Sequence, residues 1–157
     1  MQNNLESIWA DGIIPSYQKE DILTKEEVLS MAIKFTLDNV LKDKGCEIIG
    51  INDKVGHYPN ILLKKEDKLY GLIVAPCLFP GYSMIPNQVR IGYVNLCKTK
   101  NTIPLFSPVM LTSSDRVRSG AGLFLRGDIF RMVSFGHKIM TDNPTQDLSV
   151  KSLDFRF

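Results

Sequence analysis

Cysteine is scarce and odd in number. Cys46, Cys77 and Cys97 stand far apart, none in a C-x-x-C pair, and the two histidines, His57 and His137, are not near partners in sequence. This argues against a zinc site and against a disulfide framework. The thiols are expected to act as small buried hydrophobes. No apolar run approaches the roughly 18 residues of a membrane span. The leading residues MQNNLESIWADG carry acids where a secretory signal carries a basic stretch, and they hold no apolar run. A cytoplasmic protein with no membrane partner is the expectation. Also missing are G-x-x-x-x-G-K-[ST], G-x-G-x-x-G after a strand, G-x-S-x-G and H-E-x-x-H. Those absences leave no motif for phosphate cradling, a nucleophile elbow or a zinc protease, and no cofactor or metal is expected.

What is there suits one domain. At 157 residues the chain can bury roughly two thirds of the surface its unfolded form exposes, and 44% apolar with 23% charged residues is an ordinary globular balance. The net charge of +2 hides an asymmetry. From Gly71 to Gly136 stand Arg90, Lys98, Lys100, Arg116, Arg118, Arg126 and Arg131 against only Asp115 and Asp128. A basic half can mark a polyanion partner, although a solvated face is the commoner cause. Arg116, Arg118, Arg126 and Arg131 are the candidates for anion binding. If a hairpin turn brings the last two beside the loop that holds the first two, all four could contact phosphates.

Along the chain, residues 1–23 form a leading segment in which Leu5, Ile8 and Trp9 could make one helical turn that docks on the body. Thr24 and Glu27 have the spacing of a capping box. Leu29, Ile33, Leu37, Val40 and Leu41 follow at helical spacing, so a helix is predicted from about Lys25 to Lys44, with Gly45 placed to end it. Cys46 to Asp53 reads as a strand. Tyr58 to Pro76, YPNILLKKEDKLYGLIVAP, reads as two strands joined at Glu66-Asp67. The second is apolar on both faces, the pattern of a central strand, and Pro76, Pro80 and Gly81 should end it. Pro86 to Asn101 favours a helix over a strand. Ile103 to Leu111 reads as a strand, irregular or near an edge because Pro104 and Pro108 cannot donate. Leu123 to Arg126 and Ile129 to Phe135 suggest a hairpin around Gly127-Asp128. From His137 onward the chain is a polar arm, with apolar residues from Leu148 to Phe157 spaced about two apart. Ser119-Gly120-Ala121-Gly122 reads as a connection, and His57 as a solvated loop residue.

The order helix, strand, strand, strand, helix, strand over Thr24 to Thr112 resembles the core of the PD-(D/E)xK nuclease superfamily, the restriction-endonuclease-like fold. The resemblance implies a single α/β (α+β) domain: a mixed sheet with flanking helices and an αβββαβ core at 24–112, then a basic loop and hairpin at 113–136 and the arm at 137–157. In that family a Pro-Asp on one strand and an acid-x-Lys on the next hold magnesium and orient the attacking water. The matching positions here are Pro59-Asn60 and Ile73-Val74-Ala75, with Glu26 or Glu27 on the first helix. Asn60 replaces the aspartate, Ile73 the acid and Ala75 the lysine. An Asn offers one neutral oxygen and the other two offer nothing, too little for a hard dication. The resemblance therefore implies a non-catalytic member that binds nucleic acid or a protein. The alternatives are a small interaction module that forms a homodimer through the Leu148–Phe157 arm, and a nuclease whose ligands have moved to positions such as Asp53 or Lys65.

Overall fold

The computed structural model describes residues 19–78, 85–113, 125–126 and 130–150. They form a mixed α+β single domain. Seven strands make one mixed sheet: β1 (Glu47–Ile51), β2 (Ile61–Lys65), β3 (Lys68–Leu78), β4 (Thr102–Ser113), β5 (Phe130–Ser134), β6 (His137–Ile139) and β7 (Leu148–Val150). The helices are α1 (Lys25–Phe35) and α2 (Asn87–Thr99). The sheet order is β1-β2-β3-β4-β6-β7, with β5 also paired to β4.

α1 starts where its capping box predicts. The Glu27 N–H donates to Thr24 Oγ1 at 3.1 Å and the Thr24 N–H to Glu27 Oε1 at 3.3 Å. The regular helix ends at Phe35, well short of Lys44. Thr36 to Val40 widen into a π-turn, in which the Leu41 N–H reaches Thr36 O at 2.9 Å. The buried Thr36 hydroxyl donates back to Ala32 O at 2.8 Å, a competing bond that accompanies the widened turn. The first left-handed residue is then Asp43, at φ 62°, ahead of Gly45 at φ 73°.

β2 and β3 form the predicted hairpin. Glu66 and Asp67 both have positive φ, 51° and 64°, which is the twist-matched two-residue turn. β3 runs two residues past Pro76. Its pairing with β2 ends at Leu72, opposite Ile61, while its pairing with β4 continues to Leu78. Pro76 shares the strand side of Leu72 and Val74, so its missing N–H faces the side on which no described strand pairs with it. β3 is central, as its double-sided apolarity predicts. Tyr70, Leu72 and Val74 pack with Val28, Leu29, Ala32 and Ile33 of α1. Ile73 packs with Tyr93, Val94 and Cys97 of α2.

β4 is central too, contrary to its two prolines. Pro104 and Pro108 are four residues apart, so both turn the same side of the strand away from β3. On that side the partner changes from β6, which meets Leu105 and Phe106, to β5, which starts at Val109. The proline carbonyls still accept there, from the Met140 N–H at 2.9 Å and the Phe135 N–H at 3.2 Å. No N–H is needed where none exists. β5 pairs with β4, and Leu125 bridges Ile22. The rest of the expected hairpin, Leu123, Phe124 and 127–129, lies outside the described residues. The polar arm enters the sheet as β6 and β7, up to Val150. The helical turn expected at Leu5, Ile8 and Trp9 also lies outside the described residues. Of the thiols, Cys97 is buried, while Cys46 and Cys77 are half-buried and free.

Gly71 lies hard against α2. The Tyr93 hydroxyl donates to Gly71 O at 2.6 Å. A Cβ on Gly71 would meet Tyr93 Oη at 2.5 Å and Pro59 Cβ at 3.3 Å. Gly71→Ala should lower stability by about 1–3 kcal/mol through overpacking. Urea unfolding reads this as a lower midpoint with an unchanged slope; a midpoint equal to wild type would contradict the packing described.

Candidate functional site

Because β3 outruns β2, a cleft of about 490 Å³ opens beside its last residues. One wall is the first turn of α1 with Leu23 before it, including Thr24, Lys25, Val28 and Leu29. The β1–β2 loop contributes Val55, Gly56 and Tyr58, β3 contributes Ile73 to Pro76, and Ile85 lies at the approach to α2. Asn60, Ile73 and Ala75, the three positions that the nuclease resemblance picks out, all line this one cleft. Its lining is mainly apolar, and among the described residues Lys25 is its single charged side chain.

Asn60 is fully buried, and its side chain is committed to the fold. Its Oδ1 accepts from the Val74 N–H at 2.9 Å. Its Nδ2 donates to Asn52 O at 3.1 Å and His57 O at 3.4 Å. The side chain thus takes the place of the strand that β3 lacks and ties the β1–β2 loop to it. Both carbonyls require a donor, which an amide supplies and a carboxylate does not. Ile73 is buried against α2, and Ala75 lies at the margin of the same cluster.

Glu26 and Glu27 do not line the cleft. Glu26 is exposed. Glu27 is held by its cap and by Arg126, whose Nη2 donates to Glu27 Oε1 at 3.0 Å and whose Nη1 donates to Oε2. The guanidinium beside it draws the Glu27 carboxyl below the usual range, so it stays ionised. Asp53 accepts from Ser30 Oγ at 3.4 Å. Lys65 is at the far end of β2, beside the turn. Among the described residues no three His, Cys, Asp or Glu side chains gather where they could hold a metal ion.

Two of the four anion-binding candidates, Arg126 and Arg131, are among the described residues. Arg126 lies against Glu27 at the start of α1. Arg131 is exposed on β5, opposite Thr112. Arg116 and Arg118 lie outside the described residues. Arg90 also leaves the set of free cations. It is buried and meets Asp147 at 2.7 and 2.9 Å through Nη1, with both side chains under a tenth exposed. Neither pair was visible in the sequence, because 99 and 57 residues separate the partners.

His137 is another polar group the sequence did not mark. It is buried on β6 against Ser107 of β4. Its Nδ1 shares a hydrogen bond with Ser107 Oγ, and its Nε2 has no partner among the described residues. Burial pushes its pKa down to about 4, against an unfolded value near 6.5. Above that value the ring is neutral in both states and contributes no pH dependence. As pH falls below about 6.5 the unfolded chain takes up a proton that the fold refuses, so stability falls until about pH 4, by up to about 3 kcal/mol. Urea unfolding at pH 7 and pH 5 should show a loss near 2 kcal/mol that His137→Gln largely removes. An equal loss in both proteins would contradict this account.

A family model described as "Domain of unknown function (DUF8840)" matches residues 26–138. The chain belongs to that family. The match takes in α2, β1 to β5 and all of α1 but Lys25, and every cleft residue named above except Leu23, Thr24 and Lys25. No curated protein and no solved structure matches the chain. No helix among the described residues of this DUF8840 domain is long and apolar enough to cross a membrane.

Proposed function

We propose that this DUF8840 domain is a non-catalytic, nuclease-like module that acts by binding a segment of another protein in the β3 cleft. The observation that carries the reading is the cleft itself. Asn60, Ile73 and Ala75, the positions that match the nuclease motif in the resemblance, share it, yet the lining is mainly apolar and contains no carboxylate among the described residues. Its volume falls in the range of ordinary ligand sites. Asn60 occupies the Val74 N–H and Pro76 has none, so an incoming strand would find few donors on this edge. Affinity would instead come from one or two large apolar side chains, with an acid in the segment facing Lys25. Engagement of Arg90 by Asp147 and of Arg126 by Glu27 removes two cations from the nucleic-acid reading.

The test is selection of a random-peptide library on the purified chain. The selected peptides should combine a large apolar residue with an acid, and should lose binding on Val55→Glu, a change at a 43% exposed cleft residue. Peptides that bind the variant equally would overturn the reading, as would low-salt binding of an oligonucleotide that fades with added salt.

A second reading, assembly of identical copies, is favoured by β1. Among the described residues this is an edge strand, which exposes Ile48, Ile49 and Ile51 by 38, 49 and 54%, and an apolar edge invites pairing. Two copies paired antiparallel through β1 would close a two-fold dimer. Light scattering should then report a dimer that Ile49→Lys returns to a monomer. A wild-type monomer would remove this reading.

A further inference from the structure

We infer that the outer face of α2 is an interface at which two copies of the chain pair, crossing at Gly92. α2 turns Arg90, Tyr93, Val94 and Cys97 into the domain. Its other side carries Val89, Gly92 and Leu96, spaced three and four residues apart and so on one stripe. Val89 and Leu96 are 37 and 44% exposed, and Gly92 is exposed between them. Glycine is the poorest helix former after proline, yet it stands in the interior of this helix. Among the described residues nothing asks for it. Its φ is not left-handed, and a Cβ built there meets no atom within 4 Å. At Gly71, by contrast, the chain's own Tyr93 takes up the space. A glycine that weakens its helix and gains nothing inside the chain is accounted for by a backbone that approaches from outside. The stripe itself selects a second copy as the occupant. Gln88, Asn95 and Thr99, which flank it, are uncharged, so it offers no charge to a phosphate backbone or a charged peptide. Val89 and Leu96 stand almost equally far from Gly92 on either side. Turned end for end, the stripe matches itself: Val89 of one protomer meets Leu96 of its partner at both ends, and the two Gly92 backbones meet at the centre, as a two-fold interface requires. Antiparallel pairing also sets the start of α2, which has no side-chain cap and no acid in its first turn, beside the partner's C-terminal end, where helix dipoles attract. One helix seam is a small interface, so the dimer forms progressively as concentration rises. The inference goes beyond the cleft proposal and rests neither on it nor on the β1 edge.

The test is sedimentation velocity over a concentration series in the Ile49→Lys background, which removes pairing through β1 from the result. This protein should still pass from monomer to dimer as its concentration rises. Gly92→Lys should weaken that dimer by about tenfold or more, because two ammonium groups then meet across the axis. In the same variant the thermal midpoint of the dilute monomer should rise, since Lys is the better helix former and its Cβ finds open space. Leu96→Gln, a change at an exposed position to a residue that suits a helix, should weaken the dimer as well. A chain that stays monomeric at every concentration overturns the inference. So does a dimer that neither variant weakens, which would place the contact elsewhere. A lower thermal midpoint in Gly92→Lys overturns it too, by showing that the chain itself needs the glycine.

Discussion

Asn60→Asp should destabilise the domain by about 3–5 kcal/mol at neutral pH, the magnitude expected for an uncompensated buried charge. The substitution restores the acid that the nuclease resemblance expects and changes almost nothing in volume. One oxygen can still accept from the Val74 N–H. The other would face Asn52 O and His57 O, two acceptors that now receive the Nδ2 protons. The penalty carries its own pH signature. In the fold, a carboxyl in this position would have its pKa raised above the unfolded value near 3.9. Below that value it is protonated in both states, can donate to one carbonyl, and much of the loss is relieved. As pH rises from about 4 through the raised value the deficit grows to its full size. Urea midpoints for variant and wild type at pH 4 and pH 7 read this directly. A deficit that is absent, or equal at both pH values, would show that Asn60 is not the clamp described.

Asp147→Ala should cost a similar amount, about 3–5 kcal/mol. It strands the buried Arg90 guanidinium and removes the acceptor of the Thr141 N–H, which donates to Asp147 Oδ1 at 2.9 Å. Arg90 Nε is already without a partner among the described residues, so little is left there to compensate the charge. The pair fastens α2 to the turn before β7, and its loss should release the C-terminal edge of the sheet first. Arg90→Met combined with Asp147→Leu should recover much of the stability, because removing both charges also removes their desolvation cost. Thermal or urea unfolding of the two single variants and the double variant completes the cycle. A double variant as unstable as the sum of the singles would mean the two side chains do not act together.

The local signals in the sequence were sufficient for the parts of the fold that local physics decides. Thr24 and Glu27 are three residues apart and cap each other. Glu66-Asp67 makes a turn by its own backbone, and the apolar run of β3 marks a strand covered on both faces. Where a long-range partner decides, local rules misled. Pro104 and Pro108 suggest an edge, yet β4 is central, because the exchange of β6 for β5 falls where the prolines need no donor. The helix shortens at Thr36, whose buried hydroxyl turns back on Ala32. The candidate site divides in the same way. The resemblance brought out Asn60, Ile73 and Ala75, and they do share a cleft. The wall formed by Val55, Tyr58 and Lys25 depends on the packing of two separate elements, and no spacing along the chain encodes it. The binding of Arg126 to Glu27 was equally hidden, so the basic half looked more open than it is.

The central claim is that Asn60, one of the positions that match the nuclease motif in the resemblance, is structural. Urea unfolding of Asn60→Asp with and without millimolar Mg²⁺ tests it most directly, because a metal that binds the folded state alone must raise the midpoint. The account predicts a destabilised variant whose midpoint Mg²⁺ leaves unchanged. A variant as stable as wild type, or one whose lost stability Mg²⁺ restores, would contradict it.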